Sequence, residues 1–274
     1  MDRIDDSLLR QPGRGALRRH RLQVGLARTP QLRRAAQALR WRVFAGELGA
    51  RLPSRVAGID EDVFDAYCEH LVVRAEDSDE VLGTYRVLAP EAARRVGSYY
   101  SETEFDLVRL RHIRGRMVEV GRSCIHPQHR SGAVIALLWA GLTRYMLTHG
   151  YEYLAGCASM GMADGGHAAA SAYRGMREAH SAPVEYRVFP RRALPVADLE
   201  RVNAGAEPPP LIKGYLRAGA WVCGEPAWDP EFNTADFFLL LPLANVAPRY
   251  ARHFMGSDLQ VCPPRRTINS VSPA

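Results

Sequence analysis

The stretch VEVGRSCIHPQHRSGAVIALLW, residues 118–139, constrains the fold of this chain most. An apolar strand pattern over 117–125 leads into a polar turn around Gly132. Apolar residues then recur at i, i+3, i+7 and i+10 from Ile135, which predicts an amphipathic helix that ends near Gly150. The pattern predicts a strand, a small-residue turn and a helix that packs back on a sheet.

Three polar side chains, Glu119, Arg122 and Ser123, interrupt this otherwise apolar strand. Buried charge lowers stability unless it is paired or used. Side chains alternate on a regular strand, so Glu119 and Arg122 would point to opposite faces. A β-bulge at Gly121 would bring Arg122 toward Glu119 and open a gap in the sheet. Such a gap, beside a carboxylate and a helix N-terminus, predicts a site that binds an anionic tether and deprotonates a nucleophile.

The remaining patterns predict an α+β fold. A first strand at 22–28 precedes Thr29 and Pro30, an N-cap and a proline in the first turn of a helix that ends near Gly49. Two apolar segments around an acidic turn predict an antiparallel hairpin. The segments, in order, are EHLVVRA and EVLGTYRVLA for the hairpin, the strand YEYLAGCAS, the helix LIKGYLRAG, and the strands WVCGEPAW and DFFLLLPL. We expect a mixed, mainly antiparallel central sheet flanked by helices, with a bulge in its fourth strand.

Length and composition set the domain organisation. A chain of 274 residues with 47% hydrophobic content is sufficient for one large domain, which we place at 22–250. Residues 1–21 contain RQPGRGALRRHR and predict a flexible basic arm, and 251–274 form a C-terminal tail. The first residues lack a secretory signal, and the longest apolar stretch, FFLLLPLANVA, is too short for a spanning helix. We expect a cytoplasmic protein, and peripheral contact with the inner membrane face stays open.

Cysteine, histidine and charge usage narrow the chemistry. Five cysteines without a CxxC pair, and His126, His129 and His167 without metal-ligand spacing, predict neither a disulfide framework nor a metal site. The net charge is +6, with Lys213 as the single lysine, which favours an acidic partner such as nucleic acid, an anionic membrane face or an acidic carrier protein. The absence of helix-turn-helix, zinc-finger and RNP-like signatures argues against nucleic acid.

The turn after the polar strand resembles the GNAT N-acyltransferase superfamily, in which Q/R-x-x-G-x-G/A holds the pyrophosphate of acyl-CoA. Here the stretch is Gln128-His-Arg-Ser131-Gly-Ala133, with serine in place of the first glycine. That departure fits an acyl chain that arrives on the phosphopantetheine of a carrier protein. The resemblance assigns acyl and phosphopantetheine binding to Gly121, Cys124, Ile125, Arg130, Ser131, Gly132 and Ala133.

Further motifs resemble two related families. The order Arg40-xxx-Phe44, Asp62-xx-Asp65, Arg86, Glu119-xx-Arg122 is similar to the acyl-homoserine-lactone synthases. The segments YYSETEFDL, GRSC, LLWAGLTRYM, GCAS, PPLIKGYLRAGA and DPEFNTAD are similar to the L-ornithine Nα-acyltransferases. This second resemblance implies transfer of a 3-hydroxyacyl chain from acyl carrier protein to L-ornithine, which gives lyso-ornithine lipid in the first step of ornithine lipid biosynthesis. It implies no permanently bound cofactor.

The resemblance also implies roles for the site residues. The catalytic residues would be Glu119, Arg122 and Ser123, with Glu119 deprotonating the acceptor ammonium. A backbone N–H near Gly121 or Arg122 would stabilise the oxyanion, a contribution of roughly 3 to 4 kcal/mol for a good donor. The residues assigned to substrate binding are Arg40, Phe44, Asp62, Asp65, Arg86, Lys213 and Arg217, of which the last two would contact a carboxylate or the phosphopantetheine.

Several alternatives stay open at this point. A buried ion pair with Arg86 or Arg122 is the alternative for Glu119, and a solvated helical face is the alternative for Lys213 and Arg217. The stretches Trp221-Val-Cys-Gly-Glu-Pro and MGMADGGHAAASAY depart from the ornithine pattern, so another amino acid could be the acceptor. The other functions to weigh are a homoserine-lactone synthase that uses S-adenosylmethionine, a nucleic-acid-binding module and a catalytically inactive acyl-binding relative.

Overall fold

A computed structural model describes residues 22–246 except 53, 76–79, 131 and 200–204. The predicted arm at 1–21 and tail at 251–274 lie outside the described residues, as does the end of the predicted domain at 247–250. The strands are β1 (Leu22–Leu26), β2 (Glu69–Ala75), β3 (Val81–Leu88), β4 (Phe105–Asp106), β5 (Met117–Ile125), β6 (Tyr153–Gly161), β7 (Phe189–Pro190), β8 (Trp221–Val222), β9 (Ala227–Asp229) and β10 (Thr234–Pro242). The α-helices are α1 (Pro30–Trp41), α2 (Pro90–Val96), α3 (Ala133–His149), α4 (His167–His180), α5 (Val196–Leu199) and α6 (Pro210–Ala218).

The central sheet has the strand order β1, β2, β3, β5, β6, β10, β8, and β9 pairs with the start of β10. Its neighbours are antiparallel except β5 and β6, which run parallel. Strands β4 and β7 form a separate two-stranded sheet. The prediction of a mixed, mainly antiparallel sheet is therefore confirmed, including the hairpin of β2 and β3.

Local sequence signals explain where the helices begin. The Thr29 hydroxyl accepts a hydrogen bond from the Leu32 N–H at 3.2 Å, and Pro30 occupies the first turn of α1, as predicted. A π-helical turn, Arg42–Glu47, continues α1. Gly132 precedes α3 with φ of 87°, a left-handed conformation that favours glycine. The sequence patterns did not predict α2, α4 or the small sheet of β4 and β7.

Helices cover both faces of the central sheet. Alternate residues of β2 show this: Leu71 and Val73 belong to the main core with α3, α4 and α6, whereas Val72 packs with α1. A second core under α2 contains Leu88 and Met117. None of the helices in the described ranges is both long and apolar enough to cross a lipid bilayer.

Strands β5 and β6 pair only over the first third of their length. Their pairing is restricted to 117–119 against 153–155, and a methyl group at Gly156 would overlap the carbonyl oxygen of Val120. On its other edge β5 is bulged, because Gly121 pairs with Arg86 and Cys124 with Thr84. Tyr85 therefore faces two residues, Arg122 and Ser123, and Arg122 has φ of 50°. The predicted bulge in the fourth strand of the sheet is confirmed, one position after Gly121.

Candidate active site

A cavity of about 250 Å³ lies where β5 and β6 separate. Its polar half is lined by Arg86, Tyr100, Glu119, Arg122, Cys157, Asp229 and Asp236. Its apolar half is lined by Tyr85, Leu154, Ala158, Leu211, Tyr215, Leu239 and Leu241, which belong to or pack against the main core. The two halves meet at the gap between the strands, so a molecule in the cavity contacts charged groups at one end and hydrocarbon at the other.

Glu119 is the buried carboxylate of the polar half. Its oxygens accept hydrogen bonds from the backbone N–H groups of Tyr100, at 2.6 Å, and Ser101, at 2.7 Å, and from the Ser101 hydroxyl. The alternative of an ion pair with Arg86 or Arg122 is wrong, since Glu119 forms no ion pair within the described ranges. Burial raises the pKa of Glu119, and the hydrogen bonds from Ser101 and Tyr100 oppose that rise.

An arginine–aspartate network, defined here as Arg40, Arg86 and Arg122 with Asp60, Asp62 and Asp65, supports one wall of the cavity. Arg40 is fully buried and holds Asp60 and Asp65, each at 2.7 Å. Burial opposes ionisation of Asp65, but the Arg40 guanidinium and then Arg86 hold the pKa of that carboxyl well below its usual range. Every buried charge of the network therefore has a partner of opposite sign.

Arg86 and Arg122 present this network to the cavity. Arg86 Nη1 lies 2.6 Å from Asp62 and 3.1 Å from Asp65. Arg122 lies 3.3 Å from Asp60 and 3.5 Å from Asp62, and its guanidinium stacks 4.4 Å from the centre of the Phe232 ring. Both guanidinium groups line the cavity and keep a fixed orientation because carboxylates and aromatic rings hold them.

A second group of ionisable side chains consists of acids alone. Glu104, Asp236 and the thiol of Cys157 place their ligand atoms within 4.8 Å of one another. The Thr234 hydroxyl donates to Asp236 at 2.8 Å, and both oxygens of Glu104 are buried with no hydrogen-bond partner of normal geometry in the described part of the chain. Burial, and then the neighbouring Asp236, raise the pKa of Glu104 to about 10.

Tyrosines form the polar tip of the apolar half. The hydroxyl oxygens of Tyr85 and Tyr215 lie 2.9 Å apart, and the Trp139 ring lies 4.9 Å from that of Tyr215. Ser123 of the bulge also lines the cavity and interacts with the Tyr85 hydroxyl. Hydrocarbon dominates the rest of this half, so it is suited to an apolar chain.

The cysteines show no sign of activation. Cys68, Cys124, Cys157 and Cys223 carry free thiols, and Cys262 lies outside the described residues. Burial raises the pKa of Cys68 and of Cys124 to about 12, and it raises the pKa of Cys157 well above the usual value. A nucleophilic cysteine requires thiolate, which these environments disfavour.

The structure brings many of the predicted site residues together. Phe44, Arg86, Glu119, Gly121, Arg122 and Ser123 line the cavity. Asp62 and Asp65 lie directly behind Arg86 and hold it in place. Arg40 lies deeper, with its side chain fully enclosed and paired with Asp60 and Asp65. In this geometry Arg40 supports the network and does not reach the cavity.

Other predicted residues lie away from the cavity. Lys213 pairs with Glu207, and Arg217 is exposed on α6, where Leu211 and Tyr215 are the residues that face the cavity. The substrate contacts predicted for Lys213 and Arg217 are therefore absent from this geometry, because the helix turns its other face to the site. The predicted alternative of a solvated helical face describes their position better.

The predicted acyl-donor residues divide in the same way. Arg130 forms a two-pronged ion pair with Glu47, at 2.6 and 2.7 Å, on the surface. Cys124 is buried against α1, and Ile125, on the opposite face of β5, packs on the main core, so neither lines the cavity. Gly132 and Ala133 form the exposed start of α3, and Ser131 lies outside the described residues.

Sequence reasoning missed part of the site. It did not single out Tyr100 and Ser101, which hold Glu119, or the acids Glu104, Asp229 and Asp236. One sequence feature could have indicated Asp236: it is a carboxylate at the start of the apolar run FFLLLPL.

Comparisons with known proteins show what this chain is similar to. The family described as "Acetyltransferase (GNAT) domain" matches residues 39–140. The chain is 36% identical over 252 residues to the L-ornithine N(alpha)-acyltransferase of Agrobacterium fabrum, covering 86% of this chain and 85% of that protein. It is 37% identical over 245 residues to the enzyme of the same name from Rhodobacter capsulatus, covering 85% of this chain and 94% of that protein. The crystal structure of the AHL synthase LasI superimposes with a TM-score of 0.52 at 13% identity, covering 89% of this chain and 99% of that one, which is a likeness of fold.

Proposed function

Because this chain belongs to the L-ornithine Nα-acyltransferase family, we propose that it transfers a 3-hydroxyacyl chain from acyl carrier protein to the α-amino group of L-ornithine. The product would be lyso-ornithine lipid, and the reaction would be the first step of ornithine lipid biosynthesis. The observation that carries the proposal is Glu119: a buried carboxylate with a raised pKa at the junction of the polar and apolar halves of one cavity.

Glu119 would act as the general base. A buried carboxylate whose pKa is raised by burial accepts a proton more readily than an exposed one. The backbone donors of Tyr100 and Ser101 fix its orientation, so its position does not depend on a flexible partner. In this proposal Glu119 takes one proton from the α-ammonium of the acceptor, directly or through water.

The neutral amine would then attack the thioester carbonyl. The new C–N bond forms, the C–S bond breaks, and the second amine proton passes to the leaving thiolate, so the products are an amide and a free thiol. Backbone N–H groups at the bulge of Gly121 and Arg122 would face the oxyanion, the kind of donor that contributes about 3 to 4 kcal/mol. The unactivated thiols support direct transfer over an acyl-enzyme.

The cavity also has a place for the acceptor carboxylate and a place for the acyl chain. Arg122 and Arg86 would bind the α-carboxylate of the acceptor, since both guanidinium groups line the polar half. The acyl chain would occupy the apolar half between Leu154 and Tyr215. A thioester that enters through the gap between β5 and β6 would then present its carbonyl to the amine above Glu119.

The proposal commits to acyl carrier protein as the donor. The net charge of +6 favours an acidic donor, and the serine at 131 in the GNAT turn supports a carrier protein over free acyl-CoA. Peripheral contact of the protein with the inner membrane face is compatible with a product that is itself a single-chain lipid. Rates with the same acyl chain on carrier protein and on CoA, measured side by side, decide between the donors.

The experiment that tests the reaction is an assay of the purified protein with 3-hydroxyacyl carrier protein and L-ornithine. We expect an Nα-acylated product, identified by fragmentation mass spectrometry, and a loss of about 100- to 10,000-fold in rate for Glu119→Gln. Arg217→Ala is the matched control, because its side chain is exposed and lies outside the cavity. An undiminished rate in folded Glu119→Gln would overturn the base assignment, and no product from the wild type would overturn the reaction.

A further inference from the structure

The acid pair of Glu104 and Asp236 lies at the end of the polar half. Asp236 is 4% exposed and lines the cavity, and Glu104 lies next to it at the start of β4. Both carboxylate oxygens of Glu104 are buried without a hydrogen-bond partner of normal geometry in the described ranges. A third carboxylate, Asp229, lines the same end of the cavity.

No cationic side chain offsets the acid pair. The ion pairs of the described residues include neither Glu104 nor Asp236, whereas the three aspartates of the arginine–aspartate network are all paired. Two adjacent carboxylates in a buried site are stable only if they hold protons or meet a cation. The acid pair is therefore suited to bind a cation.

The acid pair lies close to the proposed base. The Cys157 thiol, whose sulfur belongs to the same cluster, lies 3.3 Å from the Ser101 hydroxyl, and that hydroxyl donates to Glu119. Two small side chains thus separate the base from the acid pair. A molecule whose reactive amine contacts Glu119 would direct a short side chain toward Asp236.

We propose that Glu104 and Asp236 bind the side-chain ammonium of a diamino acid acceptor and so select it over amino acids with uncharged side chains. This inference rests on the proposed function and names the residues that set its substrate class. The ammonium would replace the protons that the acid pair otherwise holds, so binding would release protons to solvent. Three methylene groups and the α-carbon separate the two amines of ornithine, a short linker, and only the side chains of Ser101 and Cys157 lie between the base and the acid pair.

The same contact explains which nitrogen reacts. An ammonium held between two carboxylates keeps its proton and is not a nucleophile. The α-amine lies at Glu119, loses its proton there and attacks the thioester. Selection of the acceptor and selection of its α-nitrogen would therefore follow from one pair of residues.

A divalent metal ion is the competing cation for this cluster. Glu104, Asp236 and Cys157 have the chemistry to bind one. Metal binding to cysteine requires thiolate, however, and burial among these acids raises the pKa of Cys157 well above its usual value. The environment therefore favours an ammonium, and metal content is one arm of the test.

The test compares L-ornithine with L-norvaline, which has the same carbon chain without the terminal amine. In the wild-type protein we expect kcat/KM for ornithine to exceed that for norvaline by at least about 100-fold, since a site built for a polar group rejects the analogue that lacks it. Equal rates with both amino acids would overturn the inference and leave the proposed acyl transfer intact. Acylation of neither would overturn the proposed function as well.

Two isosteric variants then locate the selectivity. We expect Glu104→Gln and Asp236→Asn to lower the preference for ornithine by at least about tenfold, through a higher KM, while the rate with norvaline persists. The exposed Asp198→Asn is the matched control. Folded variants that keep the full preference would overturn the assignment. A stoichiometric metal in the wild-type protein whose removal abolishes the preference would assign the cluster to that metal instead.

Discussion

Two charged regions border the same cavity and differ in balance. The arginine–aspartate network places three arginines among three aspartates, with ion-pair distances from 2.6 to 3.5 Å. The acid pair of Glu104 and Asp236 has carboxylates and no cation in the described part of the chain. Burial alone does not distinguish the two regions, since both lie within the protein.

The carboxylates of the two regions respond in opposite directions. Arginine partners overcome the effect of burial and hold the pKa of Asp65 well below its usual range. At Glu104 burial and the neighbouring Asp236 act together, and the pKa rises to about 10. The arginine partners thus keep the aspartates ionised and orient Arg86 and Arg122, whereas the acid pair must keep protons unless a ligand supplies positive charge.

The largest effect is a loss of stability, expected when Arg40 is removed from the arginine–aspartate network. Arg40→Met would leave Asp60 and Asp65 buried without their main partner, and we expect the free energy of unfolding to fall by about 3–5 kcal/mol. Urea denaturation measures the change. Arg28→Met is the control, because the exposed ion pair of Arg28 with Glu69 contributes about 1 kcal/mol or less. Equal losses in the two variants would contradict the contrast.

A smaller effect is expected at the cavity edge of the network. Arg122→Gln removes a proposed contact to the acceptor carboxylate, so KM should rise about 10- to 100-fold, in line with a charged hydrogen bond. The rise should be the same for ornithine and norvaline, since both have the carboxylate. Steady-state kinetics with both amino acids separate this behaviour from that of Asp236→Asn, and a rise confined to ornithine would contradict the assignment.

In the acid pair, substitution should raise stability instead of lowering it. The folded protein keeps the Glu104 proton up to a pKa of about 10, while an unfolded glutamate loses it near pH 4.3, so stability falls as pH rises between those values. Glu104→Gln removes this dependence and should stabilise the protein at pH 8 by about 0.5–2 kcal/mol. The gain should vanish below about pH 4. Thermal unfolding at both pH values measures it, and a loss of stability at pH 8 would contradict the account.

The smallest effect is expected outside both regions. Lys213→Ala and Arg217→Ala should change kcat/KM for ornithine by less than about twofold, because these residues lie on the solvent side of α6. The same assay with 3-hydroxyacyl carrier protein is the measurement. A tenfold loss in either variant would restore the substrate contact that the sequence pattern predicted and would require α6 to move.

The sequence predicted best what depends on neighbours along the chain. The cap at Thr29, the hairpin, the strand at 117–125 and the helix after Gly132 all follow from local periodicity and turn residues. The bulge was predicted to within one residue because a glycine beside two opposed polar side chains is a local feature. The resemblance to a known family supplied the association of Asp62, Asp65 and Arg86, which periodicity alone does not give.

What the sequence did not predict depends on contacts between distant segments. Glu119 is held by residues of the YYSET segment, and Glu104 meets Asp236 from a strand more than a hundred residues away. Whether a carboxylate meets an arginine or another carboxylate is decided by the order of the strands in the sheet. Lys213 and Arg217 share a helical face in the sequence, but the packing of α6 decides that this face is the solvent side.

Mass spectrometry of lipids from cells that express this protein tests the central claim most directly. Cells with 3-hydroxyacyl carrier protein should accumulate a new lyso-ornithine lipid, acylated on the α-nitrogen, with the wild type and not with Glu119→Gln at equal protein level. The same lipid from both proteins would contradict the role of Glu119. No new acylated amino acid from the folded wild-type protein would contradict acyl transfer to ornithine itself.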